Sequence, residues 1–271
     1  MSASPIPIAV CADDFGIAPG VSEAIATLAA RGRLSAISCM TDGVAWRAEA
    51  PRLRDLSPAI ELGVHITLTG PSRSLGALAG AAFLGRLDIA AATRDIERQL
   101  DSFETMLGRR PDFIDGHLHV HELPVLRDLV AAIWQRRLGE AVWIRNTASP
   151  MGRILARPVA RLRASVLAVL GHQARRRWQR VGARTNADFA GVRDFDERLP
   201  YRALMRIFLR DARPGLLVMC HPGEPDAVLA AEDPVVAPRA EEFAYLASAM
   251  FVEDLAAAGV RLAPLSAGAS R

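Results

Sequence analysis

The sequence alternates short apolar runs with longer segments whose apolar residues recur at helical spacing. The short runs fit buried β-strands and lie at 6–12, 34–40, 60–68, 113–117, 141–144, 216–220 and 260–264. The longer segments fit amphipathic helices and lie at 21–30, 91–107, 125–134 and 240–258. Strands that tend to be followed by helices indicate repeated β-α units and a parallel sheet. We therefore expect an α/β fold whose sheet forms a closed or nearly closed barrel.

Size and charge narrow the class of protein. A chain of 271 residues with 51% apolar content fits one large α/β domain spanning 1–271. The 33 basic residues are nearly matched by 30 acidic ones, which are spread through most of the chain, so nucleic-acid binding is not indicated. Gly16 and Gly20 form neither a dinucleotide fingerprint nor a Walker loop.

The cysteines and the N-terminus favour a cytoplasmic protein. Cys11, Cys39 and Cys220 cannot all pair within the chain, and each lies in an apolar run typical of a buried strand. Residues 1–7 lack the basic and apolar parts of a signal peptide, and no apolar run reaches the roughly 18 residues of a spanning helix. We expect a location in the cytoplasm, either soluble or peripheral to the inner membrane.

Residues that bind metals or move protons stand at the C-terminal ends of several predicted strands. The first strand leads into Asp13 and Asp14, the third contains His65, the fourth leads into His117, and the penultimate leads into His221. Strand ends of this kind meet on one face of a barrel. A carboxylate and two imidazoles suit a divalent cation, which lowers the pKa of a bound water toward about 7. The pattern predicts metal-assisted hydrolysis.

The two adjacent acidic residues are expected to divide the work. Asp13 and Asp14 project in different directions, so one is expected to bind the ion and the other to accept a proton from the attacking water. His221 is the candidate acid for a departing nitrogen, because imidazole titrates near neutral pH. Taken alone, the acidic pair fits a turn and His65 fits a hydrogen-bonded core residue. The other motifs favour the metal interpretation.

Further candidates lie close to these residues. His119 and His121 alternate with His117 and are predicted to share a strand face with Asp115. Asp115 is expected to support a ligand, and the two additional histidines fit supporting or sugar-contacting roles. Arg145, after the fifth predicted strand, either binds substrate, orients Asp13 or lies on the surface. No Gly-x-Ser-x-Gly motif competes, and thiolates are disfavoured inside apolar strands.

Four motifs occur in a fixed order between residue 7 and about residue 264. They are Ala12-Asp13-Asp14-Phe15-Gly16, Gly63-Val64-His65, Asp115-Gly116-His117-Leu118-His119-Val120-His121 and Met219-Cys220-His221-Pro222-Gly223. Together they resemble the YdjC-like family of carbohydrate deacetylases. That family includes chitooligosaccharide deacetylases and deacetylases associated with hopanoid biosynthesis.

The resemblance implies a distorted TIM-barrel-like fold, often dimeric, that removes the acetyl group from N-acetylglucosamine-type sugars, oligosaccharide or glycolipid, and releases acetate. It assigns metal binding to Asp14, His65 and His117 and the base role to Asp13, and it makes His221 a plausible acid. Mg²⁺ is the ion associated with the family, and Zn²⁺ fits the same ligands. A phosphoesterase and a non-catalytic sugar-binding protein on the same barrel remain open, because fold does not fix function.

Two further positions bear on this resemblance. The segment 185–191 resembles a family segment near the substrate cleft, and Phe189 within it is either a platform for a sugar ring or a core aromatic residue. Cys11 stands where the family commonly has Asn. It lies inside a strand, so we expect no change in the chemistry.

The segment 153–184 contains nine arginines and no acidic residue. Aliphatic residues recur in it at helical spacing, with Pro158 near the predicted helix start. They are Leu155, Val159, Leu162, Val166 and Val169 or Leu170. Such a helix either lies on an anionic membrane and brings the protein to a lipid-linked sugar such as a glycosylated hopanoid, or packs on the barrel or at a homodimer contact.

Overall fold

The strands form one parallel sheet. The structure is a computed structural model that describes residues 4–70, 73–195 and 199–267. Residues 1–3, part of the segment 1–7 on which the signal-peptide prediction depends, lie outside the described residues. The strands are β1 (Ile6–Phe15), β2 (Ala36–Cys39), β3 (Glu61–Ile66), β4 (Phe113–Gly116), β5 (Trp143–Ile144), β6 (Asp188–Ala190), β7 (Leu216–Cys220) and β8 (Val260–Leu262). Their order is β5-β4-β3-β2-β1-β7-β6, and β8 pairs with the first residues of β1.

The two ends of this seven-strand path meet. Ile144 of β5 forms an isolated parallel bridge with Thr185, three residues before β6, and its backbone N–H donates to the Arg184 carbonyl at 2.9 Å. Because the closure is a single bridge, the barrel is irregular and only just closed. The predicted α/β barrel is confirmed. The sequence-based prediction missed β6, which has only three residues.

Helices cover the outside of the sheet. They are α1 (Pro19–Ala30), α2 (Trp46–Glu49), α3 (Leu75–Phe83), α4 (Ile89–Leu107), α5 (Leu126–Ile133), α6 (Met151–Leu155), α7 (Arg161–Gln179), α8 (Tyr201–Leu209), α9 (Ala227–Glu232), α10 (Ala237–Ala247) and α11 (Ala249–Ala257). The segment 240–258, predicted as one helix, is divided between α10 and α11 because Ser248 has an extended backbone. No helix in the described ranges is long and apolar enough to cross a membrane.

Alternation along β1 separates two apolar clusters. Ile8, Val10 and Ala12 join the larger cluster with the buried faces of the helices, whereas Ala9 and Cys11 join a smaller cluster that includes residues of β4 to β7. Successive strand residues point to opposite faces of a sheet, so the second cluster fills the barrel interior. The next residue on that interior side is Asp13, which is how β1 directs a carboxylate inward.

Helix α7 packs on the barrel through small residues. Ala164, Ala168, Gly171 and Ala174 are buried, and a Cβ on Gly171 would clash with the backbone of Ala148. The helix predicted within 153–184 is therefore present and lies close to the sheet. Its large aliphatic residues lie on the other side of the helix.

Candidate metal centre

The chain turns sharply where β1 ends. Asp14 has a φ of +69°, which is uncommon for a residue with a Cβ. Gly16 has a φ of +101°, and a Cβ there would lie 2.7 Å from the Met40 carbonyl oxygen, so only glycine fits. This turn lets Asp13 and Asp14 contact different groups although they are adjacent in sequence.

The residues predicted as metal ligands lie together. Asp14 Oδ1 is 3.3 Å from His65 Nε2 and 3.1 Å from His117 Nδ1. The three ligand atoms lie within 4.8 Å of one another. Metal–ligand bonds of about 2.0–2.2 Å hold neighbouring donor atoms roughly 3–3.6 Å apart, so this donor set fits a divalent cation. His117 keeps 19% of its side-chain surface exposed, so the cluster has an open side.

Asp115 holds the far side of the His65 ring. The His65 Nδ1–H donates to Asp115 Oδ1 at 2.6 Å, and the Ser38 hydroxyl donates to the same oxygen at 2.5 Å. Burial lowers the pKa of His65, but the carboxylates of Asp115 and Asp13 raise it more, to about 10 in the metal-free protein. The contact fixes the ring so that Nε2 faces Asp14. A carboxylate behind a metal-binding histidine commonly tunes metal affinity.

The second oxygen of Asp14 is held by an arginine that the sequence-based prediction missed. Arg239 on α10 donates to Asp14 Oδ2 and to Asp233 Oδ2, each at 2.6 Å. Burial raises the pKa of Asp14, but Arg239 and then His117 lower it more, so the net pKa is well below its ordinary value. Asp14 is thus kept ionised, with one oxygen directed at the two imidazoles. Nothing in the sequence around Arg239 distinguishes it from other helix arginines.

Arg145 is buried at the centre of a carboxylate network. It donates to both oxygens of Asp13 at 2.6 Å, and its guanidinium lies 3.0 Å from Asp115 Oδ2. Of the roles left open by the sequence, the surface position is excluded, and the contact with Asp13 fits the orienting role. Cys11, Asp13 and Asp115 form a second group with metal-like spacing, but Arg145 already provides the cation there.

His221 approaches Asp13 from the open side. Its Nε2 lies 4.0 Å from Asp13 Oδ2, and its side chain is 17% exposed. The backbone N–H of His221 donates to Glu242 Oε2 at 2.6 Å, and Glu242 also accepts from Arg193 at 3.1 Å. Glu242 is another residue of α10 that the sequence did not indicate. Helix α10 therefore holds Asp14 through Arg239 and the backbone of His221 through Glu242.

The predicted strand face shared by Asp115 and the histidines after it is wrong. The strand ends at Gly116, and the next residues form a short 3₁₀ turn, His117–Glu122. Leu118 and His119 have positive φ values of +52° and +58°, so the alternation of a strand is lost immediately. The histidines consequently diverge.

His119 and Phe189 pack against each other beside Arg145. Their ring centroids are 5.6 Å apart, and the Phe189 ring lies 5.9 Å from the Arg145 guanidinium. Phe189 is only 2% exposed, so the predicted sugar platform is wrong and the residue is a core aromatic. Burial, followed by the charge of Arg145, holds the pKa of His119 well below its ordinary value, so its ring is neutral.

His121 supports the chain behind the site. Its Nε2–H donates to the Arg145 carbonyl oxygen at 2.9 Å, and its ring stacks on Trp178 at a centroid distance of 5.6 Å. Burial lowers the pKa of His121 to about 4. The ring is fully enclosed, so the predicted sugar contact is not found, and its contacts position the strand end that carries Arg145.

The cysteines remain thiols. Burial raises the pKa of Cys11, Cys39 and Cys220 well above the ordinary value. All three are free and buried. This agrees with the expectation that no cysteine acts as a nucleophile, because the thiolate is the reactive form.

A parallel α/β barrel that gathers a carboxylate and two imidazoles at the C-terminal ends of its strands defines a class of barrel protein with a candidate divalent-metal centre. The chain belongs to the YdjC-like protein family, whose model matches residues 7–257. The resemblance carried by the four motifs is thereby confirmed.

Two curated relatives are named deacetylases. A carbohydrate deacetylase from Homo sapiens is 31% identical over 172 residues, which cover 56% of this chain and 51% of the relative. A chitooligosaccharide deacetylase from Yersinia pestis (strain Pestoides F) is 33% identical over 136 residues, which cover 45% of this chain and 53% of the relative. The chain thus spans about half the length of the curated relatives it matches.

Two solved structures share the fold. A candidate cellobiose-phosphate cleavage protein from Enterococcus faecalis V583 has a TM-score of 0.70 at 21% identity, over 98% of this chain and 100% of the other. A peptidoglycan N-acetylglucosamine deacetylase has a TM-score of 0.54 at 9% identity, over 97% of this chain and 87% of the other. At these identities the likeness shows the fold alone.

Proposed function

We propose that the protein is a metal-dependent hydrolase that removes the N-acetyl group from an N-acetylglucosamine-type sugar, either an oligosaccharide or a glycolipid, and releases acetate. The observation that carries the proposal is the approach of Asp14 Oδ1 to within 3.3 Å of His65 Nε2 and 3.1 Å of His117 Nδ1. Family membership and the two relatives named deacetylases support the same chemistry.

The metal would be held by Asp14, His65 and His117. When bound, a divalent cation supplies a Lewis acid that acidifies water and polarises an acetamide carbonyl. Mg²⁺ is favoured by the family resemblance, and Zn²⁺ suits the two imidazoles. Arg239 occupies Asp14 Oδ2 at 2.6 Å, which leaves Oδ1 as the oxygen directed at the ion.

Asp13 accepts the proton of the attacking water in this proposal. Arg145 uses one lone pair on each Asp13 oxygen, and the Cys11 thiol donates to Oδ1 at 3.6 Å, so Oδ2 is the oxygen that retains a lone pair to accept a proton. The two-pronged contact fixes the plane of the carboxylate. Arg145 is therefore a positioning residue for the base.

His221 donates a proton to the departing amine nitrogen. It lies 4.0 Å from Asp13 on the exposed side of the centre, so the base and the acid border the same space. The water oxygen bonds to the acetyl carbon, the carbon–nitrogen bond breaks, and the proton from His221 completes the amine. The oligosaccharide or glycolipid retains its sugar ring with a free amino group.

The test is acetate release from a panel of chitooligosaccharides and acetylglucosaminyl lipids, with the protein loaded with Mg²⁺ or Zn²⁺. Asp14→Ala and His117→Ala are expected to lose both metal binding and turnover. His172→Ala is the matched control, because His172 lies on the exposed side of α7 and should keep both. Retained turnover in either site variant would refute the assigned ligands, and release of phosphate from sugar phosphates without acetate would favour a phosphoesterase.

A further inference from the structure

Helix α7 leaves its large aliphatic side chains uncovered. Leu162 is 81% exposed, Val166 is 52% exposed and Val169 is 50% exposed. Residues spaced by four and then three positions fall on one side of a helix, so these three form a continuous stripe. Leu155 of α6 adds another aliphatic side chain that is 58% exposed. A contiguous apolar surface of this kind marks an interaction site.

Arginines extend the same stripe toward the C-terminal end of α7. Arg176 and Arg180 lie seven and eleven residues after Val169, which returns them to the same side of the helix. Both are exposed, and neither forms an ion pair within the described ranges. One half of the stripe is therefore aliphatic and the other half is cationic.

The charge of the segment selects the partner. The segment 153–184 has nine arginines and no acidic residue, although Arg153 and Arg177 pair with Asp188 and Asp128 from outside it. A symmetric contact with a second copy through α7 would leave the cationic half without an acidic partner, because the segment has no acidic residue. Nucleic acid would bind the arginines but leave the aliphatic half exposed. Anionic lipid matches both halves, through its headgroups and its acyl boundary.

We propose that the exposed face of α7 docks on an anionic lipid surface. In this arrangement Leu162, Val166 and Val169 enter the boundary between headgroups and acyl chains. Arg176 and Arg180 bind the headgroups.

The position of α7 connects this surface to the candidate site. Arg163 near the start of α7 donates to the Arg193 carbonyl oxygen at 2.9 Å. Two residues further along, the Phe195 ring packs edge-on against His221 at a centroid distance of 5.9 Å. In the proposed arrangement, docking through α7 places the segment 193–195, which contacts His221, close to the lipid surface. On the proposed function, this favours an N-acetylated sugar carried by a lipid as substrate.

Vesicle co-sedimentation tests the docking without reference to activity. The protein should bind vesicles of phosphatidylglycerol and phosphatidylcholine, and not vesicles of phosphatidylcholine alone, at about 0.1 M salt, where charges are screened beyond about 10 Å. The double variant Arg176→Glu, Arg180→Glu should bind at least tenfold more weakly, because each basic residue near an anionic surface strengthens binding about fivefold. No binding of the unaltered protein to the anionic vesicles would overturn the proposal.

Matched controls separate this face from general surface properties. Arg31→Glu, Arg213→Glu makes the same charge change on exposed arginines that precede β2 and β7 and lie outside α7. It should bind vesicles as the unaltered protein does. An equal loss in this control would show that only net charge matters and would overturn the proposal.

The aliphatic half has its own comparison. The triple variant Leu162→Ser, Val166→Ser, Val169→Ser should also lose vesicle binding at least tenfold, whereas Val228→Ser, Val252→Ser, on exposed residues of α9 and α11, should not. Sedimentation equilibrium of the same proteins detects the alternative partner. If the unaltered protein is a dimer that does not bind vesicles, and the triple variant is a monomer, the stripe binds a second copy and the proposal is overturned.

Activity on soluble chitooligosaccharide distinguishes the two proposals. The α7 variants alter no residue of the candidate site, so they should release acetate at the unaltered rate while losing vesicle binding. A protein that binds anionic vesicles but releases no acetate would retain the docking proposal and remove the proposed function. A protein that releases acetate but does not bind vesicles would overturn the docking proposal and leave the proposed function standing.

Discussion

Replacing Asp115 by Asn tests how the candidate metal centre is held. Asp115 accepts from His65 at 2.6 Å and from Ser38 at 2.5 Å, and its other oxygen lies 3.0 Å from Arg145. Asn keeps the size and one acceptor oxygen but removes the negative charge. The His65 ring then loses the carboxylate that orients it and strengthens Nε2 as a ligand.

The expected loss has two parts. Removing the carboxylate partner of a metal-binding histidine weakens metal affinity about ten- to hundredfold, which corresponds to about 1.4–2.7 kcal/mol. We expect the upper end, because Asp115 is fully buried. Breaking a buried ion pair costs about 3–5 kcal/mol of folding stability. Arg145 retains both oxygens of Asp13, so the stability loss should be at the lower end, about 3 kcal/mol.

Calorimetric titration with Zn²⁺ and Mg²⁺ measures the first part, and urea denaturation of the metal-free protein measures the second. Ser38→Ala is the matched control, because it removes one hydrogen bond to Asp115 without changing the charge and should cost only about 1 kcal/mol of stability. Metal affinity of Asp115→Asn within threefold of the unaltered protein would show that the carboxylate does not act on the metal through His65.

Three further predictions concern His65, Arg239 and Gly63. Zn²⁺ binding at pH 8 should release about one proton, because the pKa of metal-free His65 is about 10 and the histidine must be neutral to bind the ion. The affinity for Zn²⁺ should therefore rise with pH up to about pH 10. Calorimetry in buffers of different ionisation enthalpy measures the released proton. Arg239→Met strands Asp14 and should cost about 3–5 kcal/mol in urea denaturation, part of which Zn²⁺ restores by compensating the carboxylate. Gly63→Ala drives a methyl group into the Phe113 ring and should cost about 1–3 kcal/mol in thermal denaturation.

Each of these predictions can fail in a recognisable way. A metal affinity independent of pH between 7 and 9 would mean that His65 is already neutral in the metal-free protein. An Arg239→Met protein as stable as the unaltered one would contradict the buried ion pair. For the glycine, Gly80→Ala is the control, since nothing lies within 4 Å of a Cβ there, and equal losses at both positions would dismiss the steric argument.

The convergence of Asp14, His65 and His117, the proposed metal ligands, was predictable from sequence. Asp14, His65 and His117 each stand at the C-terminal end of a short apolar run, and parallel β-α units bring such ends to one face whatever the separation along the chain. This prediction needed only the fold class and the positions of the strands along the chain. The barrel was predictable for the same reason, although β6 is too short to produce a recognisable apolar run.

The supporting contacts were not predictable in the same way. Arg239 and Glu242 reach the site from α10, more than 200 residues after the strand that carries Asp14. Helix packing decides which side chains of α10 point inward, and helical periodicity alone does not select an arginine as a buried partner. The alternate spacing of His119 and His121 indicated a strand. The strand in fact ends at Gly116, and the positive φ values after it could not be recognised from the sequence.

On the proposed function, the pairing of Arg145 with two carboxylates lets the buried Asp13 accept a proton. When Asp13 is ionised, the guanidinium faces two negative groups, Asp13 and Asp115. When Asp13 takes a proton, Arg145 still has Asp115 at 3.0 Å, so neither protonation state leaves an uncompensated cation in the interior. With a single carboxylate partner, the same proton would strand the guanidinium at a cost of several kcal/mol. Asp115 therefore serves two groups at once, since it also orients His65, and its replacement should impair proton transfer as well as metal binding.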